Sequence, residues 1–104
     1  MELPEYSPEL LIWKDSPVEK IVANLKESSQ ILSAVVSDDF LKGKLEKVLM
    51  PIAEAKGKGD VLWPLRVAIS GLEKSPGPFE IMEVLGKKET LARVAAAIKM
   101  ISAL

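Results

Sequence analysis

The chain contains neither cysteine nor histidine among its 104 residues. These absences exclude disulfide bonds, thiolate chemistry and zinc sites built from either residue type. They also remove the commonest general base, which disfavours most small enzymes. Strand signals are poor, with one threonine, one tyrosine and no sustained apolar–polar alternation. The composition therefore points away from catalysis and away from β-structure.

No stretch approaches the roughly 20 consecutive apolar residues that a membrane-spanning helix requires. The first residues, MELPEYSPEL, contain acids and two prolines where a signal peptide has bases and an apolar run. These features predict a soluble, cytoplasmic protein without a membrane partner.

The net charge is −1, but the charges are unevenly distributed. Residues 1–39 hold three bases against eight acids, whereas residues 40–104 hold 11 bases against seven acids. We therefore expect an anionic partner to meet the C-terminal two-thirds of the chain.

Apolar residues recur at three- and four-residue spacings, which predicts helices almost throughout. We predict an all-α orthogonal bundle in a single domain, residues 1–104. Residues 1–15 form a lead-in segment, 16–56 two long helices and 60–104 the remaining helices. The predicted turn and helices are Pro8 to about Trp13, Ser16 to about Val36, Ser37 to about Ala55, Val61 to about Ser70, Pro78 to Leu85, and Lys87 to about Ala103.

Several polar residues are placed to cap these helices. Ser16 and Glu19 fit a capping box, in which each side chain bonds the other's free backbone N–H. Ser37 or Asp38 is expected to cap the second long helix, and Asp60 the helix after it. The inward positions of the second long helix should be Leu41, Leu45, Val48, Leu49 and Ile52.

Prolines and glycines mark the interruptions. Pro51 should kink or divide the second long helix, whereas Pro64 should lie in the first turn of its helix. Gly57–Gly59 should form a flexible connection, and Gly71 is a helix stop signal. Leu72–Pro78 contains two prolines and a glycine in three residues and is expected to be a loop.

The sequence offers little chemistry. The close acidic pair Asp38 and Asp39 suits a helix start, where carboxylates stabilise the positive end of the helix dipole, better than a catalytic pair. The segment Gly57–Gly59 is too short for a phosphate-binding loop and lacks the following hydroxyl residue. We expect no catalytic residue, no metal site and no cofactor in this domain, and favour binding over catalysis.

Arg66 is a lone base among apolar neighbours. Its guanidinium suits two roles equally well: pairing with an acid of the same bundle, or projecting toward phosphates or base edges.

The loop from Lys74 to Phe79 adds a base, a hydroxyl, stiff backbone and an aromatic ring before a helix N-terminus. Such a terminus attracts anions, and the ring of Phe79 either stacks on an unpaired base or belongs to the core. Lys87 and Lys88 offer further positive charge, as phosphate contacts or as ordinary solvated surface.

Three segments together resemble a known family: PLRVAISG (Pro64–Gly71), SPGPFEIMEVLGKKETL (Ser75–Leu91) and Arg93. They are similar to the C-terminal anticodon-binding region of bacterial-type glutamyl-tRNA synthetase. The segment Pro4–Ile12 resembles the lead-in to that region, so the resemblance covers essentially the whole chain. The long helices match only in pattern.

The resemblance implies an α-helical cage that receives the anticodon loop of tRNA(Glu). Arg66 would then contact an anticodon base or the adjacent backbone. Ser75, Pro76, Gly77 and Pro78 would form the turn against which the bases are read, with Phe79 beside them and Lys74, Lys87 and Lys88 as possible phosphate contacts. Pro78 replaces a residue that is often leucine, which removes one backbone donor.

The family's catalytic motifs are absent, since a HIGH-like motif needs histidine. ATP and Mg²⁺ would belong to a catalytic domain of the parent synthetase, which would be a second partner of this domain, and no DNA partner is expected. The alternative is a helical protein-interaction or structural module that has lost RNA binding, which exposed Trp13 and Trp63 would favour.

Overall fold

A computed structural model describes residues 6–13, 16–71 and 77–103. This part of the chain is all-α, as predicted, and its elements follow the chain in order. A 3₁₀ turn at Pro8–Leu11 precedes α1 (Val18–Ala34), a second 3₁₀ turn (Ser37–Asp39), α2 (Lys42–Lys56), α3 (Lys58–Ser70), α4 (Pro78–Leu85) and α5 (Lys87–Ser102). Within the described ranges, no helix combines the length and apolarity needed to cross a bilayer.

Helix α3 lies at the centre of the bundle. It contacts α1, α2, α4, α5 and the first 3₁₀ turn, while α1 and α5 form the most extensive helix pair. Its buried residues join a single core to which every other helix contributes. The α3 residues in this core are Val61, Leu65, Val67, Ala68 and Ile69. Pro64 is also buried. A side chain on the face of α3 that is not buried is therefore carried by a helix that packs against every other helix of the domain.

The start of α1 differs from the predicted capping box. Pro17 occupies the N-cap position, and no side chain in the described part of the chain caps the helix. The Ser16 hydroxyl instead donates to the carboxylate of Asp60, which also accepts from Lys20 Nζ at 3.0 Å. The serine thus joins α1 to α3 rather than closing its own helix.

Helix α3 begins three residues earlier than predicted. Gly57, at φ 105°, is its N-cap, so Lys58 and Gly59 are helical rather than part of a flexible connection, and Asp60 is the third helical residue rather than the cap. Pro64 consequently lies in the helix interior instead of the first turn.

A side chain from α1 compensates for this interior proline. Pro64 has no N–H to donate to the carbonyl of Asp60, four residues earlier. The amide of Asn24, which is 1% exposed, donates to that carbonyl at 3.0 Å. A buried asparagine therefore supplies the hydrogen bond that the proline cannot make.

Helix α2 shows a second set of corrections. Neither Ser37 nor Asp38 caps it, because these residues belong to a separate 3₁₀ turn and the N-cap position is Leu41. Leu41 and Val48 are 46% and 37% exposed, whereas Leu45, Leu49, Ile52 and Ala53 are buried. The helix runs unbroken through the exposed Pro51, so the predicted division does not occur.

Two glycines end helices as their sequence positions predicted. Gly71 adopts the left-handed conformation with φ 72°, and its N–H bonds the Val67 carbonyl at 2.7 Å, closing α3. Gly86, at φ 84°, separates α4 from α5. A side chain at either position would meet the steric penalty that L-residues pay at positive φ.

Candidate nucleic-acid interface

Arg66 lies on the one face of α3 that the core leaves uncovered. Residues three or four positions apart share a face of a helix, so Arg66 lies next to Leu62 and Trp63. One turn earlier, Gly59 lies on the same face. Together with Trp13 and Lys58 these residues line a groove of about 280 Å³. The groove therefore combines two cations with two indole rings, and no carboxylate is among the described residues that line it.

The two tryptophans form the wall of this groove. Their ring centroids are 5.2 Å apart with the planes tilted by 43°. Trp63 Nε1 donates to the Leu10 carbonyl at 2.9 Å, which fixes its ring against the lead-in segment. Trp13 covers Gly59 so closely that a Cβ there would lie 2.1 Å from its Nε1. Both rings are half-buried. Fully exposed tryptophans would have favoured a protein partner, and neither Trp13 nor Trp63 is fully exposed.

The guanidinium of Arg66 makes no ion pair with any acid in residues 6–13, 16–71 and 77–103. Its Nε is buried without a hydrogen-bond partner there. A buried donor left unpaired costs about 1–3 kcal/mol, so native proteins rarely keep one without a reason. Of the two roles open to Arg66, the internal ion pair is not formed with any acid in these ranges.

The turn that should accompany Arg66 is described only in part. Lys74, Ser75 and Pro76 lie outside the described residues. Gly77 is the N-cap of α4, and a Cβ added there would meet nothing within 4 Å. Arg66 precedes the last residue of α3 by four positions, about 6 Å of helix rise, and α3 packs against α4.

The predicted contact between Phe79 and an RNA base is wrong. Its ring is 8% exposed and belongs to the core cluster, and Pro78 beside it is also buried. A buried ring has no face available for an incoming base, so Phe79 anchors the start of α4 rather than stacking on RNA. The inward-facing alternative for this residue is the one that the structure shows.

The two predicted lysine contacts differ in their surroundings. Lys87 Nζ donates to the Ser33 carbonyl at 2.9 Å, near the C-terminal end of α1, where a cation is favourable. Lys88, the next residue, is exposed. Lys58, at the groove beside Arg66, is an exposed base that the sequence analysis did not single out as a site residue.

Arg93 is a further residue whose position the sequence did not reveal. Its Nε donates to Glu89 at 3.0 Å, and its Nη1 donates to the carbonyl of Ile69 in the last turn of α3. The spacing of four between Glu89 and Arg93 was a visible signal for their pairing, but the contact to Ile69 crosses between helices. No cluster of three or more metal-ligating side chains occurs in the described part of the chain.

Comparison with known proteins identifies the family. A model of the anticodon binding domain family matches residues 1–98. The chain is 39% identical to a glutamate–tRNA ligase of Clostridium kluyveri, over 94% of this chain and 21% of the ligase. It is 36% and 40% identical to glutamate–tRNA ligases of two Clostridium botulinum strains, over 96% and 98% of this chain and 22% of each ligase.

The chain thus spans about a fifth of the length of the curated relatives that it matches, in their C-terminal portion. No solved structure matches the chain significantly. Because the family match extends over nearly all of the sequence and the relatives are so similar, the chain belongs to the anticodon binding domain family found at the C-terminal end of glutamate–tRNA ligases.

Proposed function

We propose that this domain reads the anticodon loop of tRNA(Glu) on behalf of a glutamyl-tRNA synthetase. The observation that carries the proposal is the Arg66 guanidinium, whose buried Nε has no hydrogen-bond partner among the described residues. It lies in a groove that contains a second cation and no carboxylate among its described lining residues. Phosphate oxygens and base edges both supply the acceptors that such a donor lacks.

The physics of RNA recognition supports this division of roles. Proteins read RNA sequence on unstacked loop bases, whereas contacts to phosphates set register and make binding sensitive to salt. Arg66 and the turn at Ser75, Pro76 and Gly77 would contact the bases, and the buried Pro78 would hold the end of that turn against the core. Lys58 and Lys88, which are exposed, would contact the backbone, with Lys74 as a further candidate.

Catalysis belongs elsewhere in this proposal. The domain itself carries no enzyme activity, and the parent ligase would bind ATP and Mg²⁺ and attach glutamate to tRNA in a separate catalytic domain. The domain would act in the cytoplasm, without DNA or membrane partners, by holding the anticodon end of the tRNA.

The test is a titration of the chain with tRNA(Glu) and with a transcript altered only in the anticodon. We expect weak but selective binding, since an isolated domain lacks the contacts made by the rest of a synthetase. Arg66→Ala should cost roughly 1–3 kcal/mol of binding free energy with tRNA(Glu). Lys26→Ala, which removes an equal charge from an exposed position on α1, is the matched control.

Two results would count against the proposal. An Arg66→Ala variant that binds tRNA(Glu) as well as the Lys26→Ala variant would remove Arg66 from the interface. Equal affinity of the unmodified chain for both transcripts would show that the domain does not read the anticodon, and would favour the protein-interaction alternative. Urea unfolding of both variants checks that the fold is retained.

A further inference from the structure

Exposed hydrophobic side chains are concentrated at the junction between α1 and α2. Of the four large ones in the described residues, three lie there: Val36, Leu41 and Val48. Val36, which follows α1, is 58% exposed, and Val48 lies two helical turns after Leu41 on the same face of α2. Single exposed apolar residues are ordinary on a protein surface, whereas several grouped together mark an interaction site.

Val36 and Val48 line one groove of about 400 Å³. The other described residues that line it are Ala34, Val35, Asp39, Lys44 and Lys47. Val35 packs against the core on the α1 side, and Val48 belongs to α2, so the aliphatic lining comes from both elements. We call these lining residues, together with Asp38 and Leu41, the junction surface.

The charges of the junction surface form one internal ion pair and leave two groups unpaired. Lys44 Nζ lies 2.7 Å from Asp39 Oδ1, so these two charges largely cancel. Asp38 and Lys47 are exposed and form no ion pair with any described residue. Asp38 lies in the 3₁₀ turn and Lys47 on α2, so the two elements that border the groove carry unpaired charges of opposite sign.

A surface of this kind is complementary to itself. In a dimer with two-fold symmetry every contact occurs twice, with the two copies exchanging roles. Two copies that place their aliphatic residues against each other can therefore pair Asp38 of each copy with Lys47 of the other.

We propose that the junction surface binds a second copy of this chain. The dimer is two-fold symmetric, with Val36, Leu41 and Val48 at its centre and two ion pairs between Asp38 and Lys47 at its rim. Apolar contacts supply most of the affinity, and the charge pairs fix the orientation of the copies.

This inference is independent of the proposed function, because no described residue is shared between the junction surface and the groove of Arg66. RNA is a poor occupant of the junction surface. The unpaired carboxylate of Asp38 repels phosphates, and the described residues that line the groove include no aromatic ring on which a base could stack.

The first test is sedimentation equilibrium of the whole chain from about 10 μM to about 1 mM, the range in which a weak dimer dissociates. We expect the mean mass to rise with concentration toward that of a dimer. Val48→Ser removes an apolar contact from both copies and should weaken association roughly ten-fold or more. Val84→Ser changes the other exposed large hydrophobic side chain, on α4, and should leave association unchanged.

The second test reverses the charges at the rim. Lys47→Glu places like charges opposite each other and should weaken association roughly ten-fold. Adding Asp38→Lys to that variant should restore association, which a purely structural effect of either substitution would not do. Lys99→Glu, at an exposed position on α5, changes the net charge equally and is the matched control.

Each outcome decides for or against the dimer. A chain that stays monomeric at every concentration overturns it, and leaves the junction surface to a different protein, such as the remaining part of a ligase. Equal weakening by Val48→Ser and Val84→Ser places the interface elsewhere and also overturns it. Failure of the double variant to recover refutes the symmetric pairing. Urea unfolding of each variant confirms that the fold is retained.

Discussion

Asn24 and Pro64 should be coupled energetically, because the asparagine amide replaces the hydrogen bond that the proline cannot donate. Asn24→Ala removes the Nδ2–H that reaches the Asp60 carbonyl at 3.0 Å in the junction between α1 and α3. Leaving the Asp60 carbonyl without this donor should lower the free energy of unfolding by about 1–3 kcal/mol. For a domain of this size each 1 kcal/mol corresponds to a Tm lower by roughly 4–8 °C.

The Pro64→Ala background supplies the missing N–H. There Asn24→Ala should cost about 1 kcal/mol less than it does beside proline, a coupling energy that a double-mutant cycle of urea unfolding measures. Ser28→Ala is the matched control one turn further along α1, because its hydroxyl is buried without a partner among the described residues. That control should be neutral or stabilising. An equal cost of Asn24→Ala in both backgrounds would show that the asparagine does not substitute for the helical hydrogen bond.

Two further predictions concern packing and pH. Gly59→Ala should displace the Trp13 indole, since the new Cβ would lie 2.1 Å from Nε1, and should shift tryptophan fluorescence and lower the Tm; Gly43→Ala, also at the second position of its helix but with nothing within 4 Å of the new Cβ, should not lower it. Burial raises the pKa of the Tyr6 hydroxyl to about 12, so the unfolded chain loses the hydroxyl proton at a lower pH than the folded chain does. The free energy of unfolding should therefore decrease as the pH rises from about 10 toward 12. Tyr6→Phe should have a shallower decline than the unmodified chain when urea midpoints are compared across that range, and parallel curves would contradict the assignment.

Much of the fold was predictable because local signals and tertiary packing agree. The all-α class is confirmed, and the predicted helix from Ser16 to about Val36 corresponds to α1 within two residues at each end. Gly71 and Gly86 end their helices because each provides a positive φ at low steric cost. These features depend on residues close together in the chain.

The errors arose where a distant contact decided the outcome. Ser16 had two partners available, and the carboxylate of Asp60 from another helix took its hydroxyl instead of a local cap. Pro64 looked like a first-turn proline, since nothing in the sequence shows that Asn24 would supply a replacement donor 40 residues away from it. Propensity rules do not include such long-range compensation.

The candidate site was likewise predictable only in part. The resemblance indicated the family, and the comparisons confirm it. Pattern alone could not decide whether Arg66 pairs with an acid or whether Phe79 is buried, because both depend on how α3 and α4 rotate against the core. The roles of Arg66 and of the turn at Ser75–Pro78 in RNA binding stay predictions.

The central position of α3 has a consequence for how recognition would proceed. Because α3 touches every other helix, it can move only if much of the core opens. The hydrogen-bonded amides of α3 should therefore exchange with solvent only through global unfolding. The surface around Arg66 would then act as a fixed template. Any rearrangement during docking would fall on the nucleotides, whose unstacking cost would set the limit on affinity.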